Sequence, residues 1–141
     1  MSRRPRPLRG TALVEFALAW PVALLLTLGT VETAVWASEM FAARSAALAG
    51  AHAAAGAGGS ATVAAAVTRR ILSPSLVGIS ASAWCPGESR TSPTLWVCAR
   101  DLGDAIQVEI GGAVPAIVPL VTNDGLPLHM QVVVQKERFA S

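Results

Sequence analysis

An apolar run near the N-terminus constrains this chain more than any other feature. Residues 9–37 read RGTALVEFALAWPVALLLTLGTVETAVWA. A helix crossing a bilayer needs about 20 mostly apolar residues. Residues 11–31 meet that length, with Glu15 as their only charge. A carboxylate inside a span carries a cost that falls toward the membrane surface. Glu15 stands one turn inside the run, so it either serves a purpose or lies near enough to the surface to snorkel.

Arg3, Arg4, Arg6 and Arg9 all precede the run. Positive residues flanking a span stay in the cytoplasm, so the N-terminus is expected inside and the C-terminal bulk outside. These four also account for the net charge of +2. Without them, seven basic residues face nine acidic ones, about −2, and no basic patch is left to argue for nucleic acid. Charged residues make up 14% of the 141, against about 25% in ordinary soluble domains, which suits a small globule on a membrane anchor. A secretory signal peptide is the competing reading. Such peptides carry an apolar stretch of only about 7–15 residues, whereas this one is longer and interrupted by Glu15. The alanine-rich stretch after Leu48 would supply its cleavage site.

Helical patterning continues through VETAVWASEMFAARSAALAGAHAAA, with Pro21 and Gly29 as soft points and Glu32 and Glu39 on one face. Trp36 is placed to sit at the outer membrane interface. The Gly-rich break at 56–59 ends the helix; no Gly-Lys-Ser/Thr follows, so it is not a phosphate loop. Ser60 reads as an N-cap, and Val63, Val67 and Ile71 recur at helical spacing before Pro74. The period then changes to two. Short strands are expected around Val77–Ala83, Leu95–Ala99, Ile106–Ile110 and Leu128–Val134. Between the last two, GGAVPAIVPLVTNDGLP reads as a loop, with Ile117, Val118, Leu120 and Val121 covering an edge or face of the sheet. The fold class is α+β: a long N-terminal membrane-spanning helix, a second short helix, and a small antiparallel sheet of about four strands. The expected divisions are a basic leader (1–10), a transmembrane and projecting helix (11–55), and an extracytoplasmic globule (60–141).

A globule of about 80 residues is near the size at which one core alone is marginal. Cys85 and Cys98 bracket PGESRTSPTLWV, which reads as a hairpin loop. A disulfide between them would persist outside the cytoplasm, the alternative being two free buried thiols. Other chemistry finds no support in the pattern. His52 and His129 have no ligand-spaced cysteine or acid beside them, so no metal is expected. Asp101 and Asp104 fit turn chemistry. No serine has the glycine-flanked elbow of a hydrolase, and Cys85-Pro86 lacks the partner of a CxxC motif. The chain is expected to be no enzyme and to need no cofactor.

Arg9-Gly10-Thr11-Ala12-Leu13-Val14-Glu15-Phe16-Ala17-Leu18, followed by Pro21 and a leucine run, resembles the start of TadE-like pseudopilins, minor members of the type IV pilin group that serve the tight-adherence (Flp) pilus. The resemblance extends to about Arg44 and is less specific beyond. It implies a prepilin inserted in the cytoplasmic membrane and cut by a membrane prepilin peptidase, with Gly10 before the cut and Thr11 after it. Arg9 and Phe16 would supply the processing context. The product would be a pilus-assembly subunit whose partners are the membrane, the peptidase, other pilins and the assembly platform. Glu15 would set register by pairing with the α-amino group freed at Thr11, its own or a neighbour's. A single-pass membrane-anchored extracytoplasmic sensor or binding module is the alternative, with an anchored enzyme third.

Overall fold

The computed structural model describes residues 9–56, 59–76, 78–117 and 125–137, with the backbone alone at Arg9 and Thr11. Helix α1 (Arg9–Ala55) is followed by α2 (Ala61–Leu72), a 3-10 turn (Ser73–Ser75), and strands β1 (Ser82–Ala83), β2 (Leu95–Asp101), β3 (Ala105–Val114) and β4 (Leu126–Gln135). The architecture is α+β, as expected. α1 alone has 47 residues, about 70 Å at 1.5 Å per residue.

The strands lie side by side in the order β1-β2-β3-β4. β2, β3 and β4 pair antiparallel, as their alternation predicts, but β1 runs parallel to β2, so the sheet is mixed. The segment between β1 and β2 is therefore a return connection rather than a hairpin loop. It is bonded to itself: Cys85 N–H donates to Glu88 Oε1 (3.0 Å) and Trp84 Nε1 to the Arg90 carbonyl (3.1 Å). Only two residues of the expected first strand pair with β2; Ile79 and Ala81 face inward without joining the ladder, and Val77 lies outside the described residues.

The core lies between one face of the sheet and the two helices. Val97, Ile106, Val108, Ile110 and Leu128 form its sheet side. α2 packs over β2, and α1 over β3 and β4. The helix side is built of small residues: Ala43, Ala46, Ala47, Ala51 and Ala54 are all fully buried. This explains the face α2 turns inward. Ala64, Thr68 and Leu72 are buried, while Val63 and Ile71, on the valine-rich stripe, are exposed. An alanine ridge on α1 admits a close helix, and small residues on α2 meet it more closely than β-branched ones can. At the crossing, a Cβ on Gly50 would fall 1.9 Å from Thr68 Oγ1 and 2.7 Å from the Ala64 carbonyl oxygen. The expected N-cap is in place: Ser60 is extended and its hydroxyl accepts from Val63 N–H.

β3 runs through Val114 and β4 starts at Leu126, so both strands invade the expected loop, with Gly111 opposite His129 and Val114 opposite Leu126. Ile117 is exposed; Val118, Leu120, Val121 and the Asn-Asp pair before Gly125 lie outside the described residues. At the other end of the sheet, Asp101 Oδ1 accepts from Gly103 N–H (2.9 Å), the turn chemistry expected there. Asp101 also takes both oxygens to Lys136 Nζ at 2.7 Å. The Lys136 ammonium, helped by the Gly103 N–H, holds the Asp101 carboxyl below the usual carboxylate range. A depressed carboxylate adds stability above its unfolded pKa and loses it as pH falls through its folded value. The acid limb of the unfolding curve should therefore be shallower in Asp101→Asn than in wild type, measured as Tm from pH 6 down to pH 2. Superimposable limbs would refute the contribution.

Candidate membrane and assembly helix

α1 divides sharply by environment. Every residue from 12 to 31 is exposed, whereas Glu32 is buried and the helix stays in contact with the globule to Ala55. Twenty residues of helix span about 30 Å, the thickness of a hydrocarbon core. The exposed part carries Leu13, Val14, Phe16, Leu18, Trp20, Leu25 and Leu26, a surface water would not tolerate on a stable monomer. It is part of the one helix, among the described residues, long and apolar enough to cross a membrane.

The polar atoms of this segment are turned inward on its own backbone. Thr27 Oγ1 donates to the Ala23 carbonyl (2.8 Å), Thr30 Oγ1 to Thr27 (2.7 Å) and Thr33 Oγ1 to Gly29 (2.8 Å). In lipid, where nothing else would bond them, those hydroxyls are satisfied within the helix. Pro21 sits inside α1 without ending it. Phe16 and Trp20, one turn apart, stack with ring centroids 5.7 Å apart.

The residues of the expected processing site lie at the start of this rod. Gly10 and Thr11 fall in the first turn of α1, which begins two residues before the expected start. First-turn N–H groups have no intrahelical acceptors, so opening the chain there breaks few bonds. A Cβ at Gly10 would touch nothing. Glu15 is exposed one turn further on, and Phe16 lies beside it, 63% exposed. Cys85 and Cys98 are brought together as a disulfide, about 4.7 Å between Cα atoms, far from the span. His52 and His129 are both exposed; His129 Nε2 is 3.1 Å from Glu109 Oε1. No cluster able to hold a metal ion occurs among the described residues.

Glu32, which the sequence left without a role, and Trp36, expected at the outer membrane interface, mark the place where the helix enters the globule. Glu32 is 8% exposed and its Oε1 accepts from Ile117 N–H at 3.0 Å, just beyond β3. Trp36, one turn on, is half-buried against the sheet, and its Nε1 donates to the Pro127 carbonyl (3.2 Å). Glu39 follows, 4% exposed. The signal was two acids at heptad spacing flanking a tryptophan just past the span.

One continuous helix thus joins an exposed apolar half, long enough to cross a membrane, to a half built into the core of an α+β globule. Residues 10–52 match the family model described as TadE-like protein, so the match opens on Gly10 and ends within α1, consistent with a TadE-like pilin-type protein. The family points to the tight-adherence pilus system. No curated protein and no solved structure matches the chain.

Proposed function

We propose that this chain is a minor pilin-like subunit, a pseudopilin, for assembly of a tight-adherence (Flp) type IV pilus. It is inserted with its N-terminus in the cytoplasm and its globule outside, cut by prepilin peptidase between Gly10 and Thr11, and acts by packing rather than catalysis. The observation that carries the reading is the division of α1: a bare apolar half of membrane length, beginning where the family match begins, continuous with a half built into the globule.

Cutting before Thr11 would free an α-amino group with a pKa of about 7.7–8.0, largely protonated at neutral pH. Thr11 and Glu15 are four residues apart and share a helix face. The carboxylate would pair with that ammonium or with a neighbour's. In a low-dielectric setting an uncompensated charge is costly, so the pairing rewards correct register between subunits. Sequencing the mature N-terminus should give Thr11-Ala12-Leu13. A start near Ala51 would favour a secretory signal, and an uncut chain a permanently anchored sensor or binding module. Glu15→Ala should insert normally yet lose co-purification with pilin partners by tenfold or more. Wild-type co-purification and piliation in that variant would remove Glu15 from the mechanism.

A further inference from the structure

We propose that the end of the sheet nearest the span, residues 115–117 with Pro127 beside them, rests in the phospholipid surface where α1 leaves the membrane. The proposal depends on the reading of residues 12–31 as a span and adds a second lipid contact to it.

The bonds between α1 and the sheet fix the height of this end. β4 runs in the same direction as α1, because Trp36 Nε1 donates to the Pro127 carbonyl at one end and Glu137 N–H donates to the Ala55 carbonyl at the other. The end of β3 and the start of β4, paired through Val114 and Leu126, therefore stand at the foot of the globule. Just past β3, Ile117 N–H donates to Glu32 Oε1 at 3.0 Å. Glu32 is the first residue after the exposed segment. That segment fills about 30 Å, the hydrocarbon thickness, so Glu32 enters the headgroup layer, about 5–7 Å deep on each side. Helical side chains lean toward the helix N-terminus, here toward the membrane. Ile117 is thus held within that layer by a carboxylate that is itself buried.

The chemistry of this end suits lipid. Ile117 is 53% exposed, and Pro115 and Pro127 are exposed with it. Leu28, one turn below Glu32 on the same face of α1, is exposed as well, so apolar surface stands on either side of the buried acid. Backbone groups that lipid would leave unbonded are absent or taken. Pro115 and Pro127 have no N–H. The Ile117 N–H goes to Glu32, the Ala113 N–H to the Thr94 carbonyl (2.8 Å), and the Pro127 carbonyl to Trp36. Residues 111–117 and 125–128 carry no charge. The opposite end of the sheet gathers Arg100, Asp101, Asp104, Lys136 and Glu137. A lipid surface asks for no directional bonds, and it already lies at this height because the span places it there. Apolar faces at such a boundary bed about 5–10 Å into it. A single helix leaves a globule free to tilt at its exit; a second contact beside that exit fixes the tilt.

The experiment uses the full chain in vesicles of phosphatidylethanolamine and phosphatidylglycerol, with one nitroxide on Leu25→Cys, Ile117→Cys or Val133→Cys. Labelling without reductant leaves the Cys85–Cys98 disulfide closed. Val133 lies about 20 Å further along β4 from Pro127 and serves as the water reference. Collision rates are read with oxygen, which concentrates in lipid, and with a nickel chelate on both sides of the membrane, which stays in water. The oxygen-to-nickel ratio at 117 should exceed that at 133 by roughly threefold or more and stay below that at 25, as a headgroup-level position requires. A ratio at 117 equal to that at 133 would overturn the proposal, since the end would then stand in water. Exclusion of both reagents at 117 would overturn it too, because protein rather than lipid would cover the site. If 25 reads as lipid and 117 does not, only this contact fails. If 25 itself reads as water, the span fails and the contact with it.

Discussion

Gly50→Ala should destabilise the globule by roughly 2 kcal/mol, although alanine is the better helix former. Propensity alone would favour the substitution by about 1 kcal/mol. Against that stands the crossing of α1 and α2, where the new methyl would lie 1.9 Å from Thr68 Oγ1 and 2.7 Å from the Ala64 carbonyl oxygen. The first obstacle is a side chain and can be removed; the second is backbone in the first turn of α2. Overpacking a filled core costs about 1–3 kcal/mol and occasionally more, so the helices must part and the steric term wins. The fall in Tm should be about 10 °C for a domain of this size. Thr68→Ala in the same chain should restore only part of it, since the carbonyl stays. A Tm that rises in Gly50→Ala would show that the helices do not approach as closely as described.

Replacing Cys85 and Cys98 together by serine should cost about 3 kcal/mol, the chain-entropy value for closing a loop of this size at a separation of 13 residues. The damage should be local. β1 pairs with β2 through two residues only, and the return segment depends on the bridge to stay against β2. The edge-on contact of Trp84 with Trp96, centroids 5.5 Å apart, should be lost with it. β2, β3 and β4 pair over seven to ten residues without help from the bridge and should persist. Hydrogen exchange would then show Trp84 N–H, which bonds the Val97 carbonyl, losing protection while Ile106 and Val108 keep theirs. Equal loss throughout, or no change in stability, would contradict this account.

What the sequence revealed, and what it hid, follows from the range of the interactions. The long apolar helix, the Ser60 cap, the turn at Asp101 and the alternation of β3 are set by residues near one another in the chain, and all were legible. The direction of β1 was not, because two cysteines 13 apart fit a hairpin and a return connection equally well. The buried face of α2 was not legible, since hydrophobicity singles out Val63 and Ile71 whereas the alanine ridge of α1 selects Ala64 and Thr68. Glu32 showed only a spacing, and Trp36 only a place just beyond the apolar run. Their roles depend on Ile117 and Pro127, more than 80 residues away, which no local pattern exposes. Glu15 and Gly10 owe their meaning to the family resemblance, and their geometry adds only that both are accessible.

The continuity of α1 from the exposed segment into the core has a mechanical consequence. Under tension between globule and anchor, the load enters along the axis of a single helix with no linker to stretch first. Because β4 runs alongside α1 in the same direction, with bonds at Pro127 and Glu137, that load shears the helix along the sheet rather than peeling it away. Shear strains the contacts of the alanine ridge and the strand together, whereas peeling would break them one at a time. The globule is thus fastened for pulling along the axis of the rod and weakest against a sideways force at its outer end.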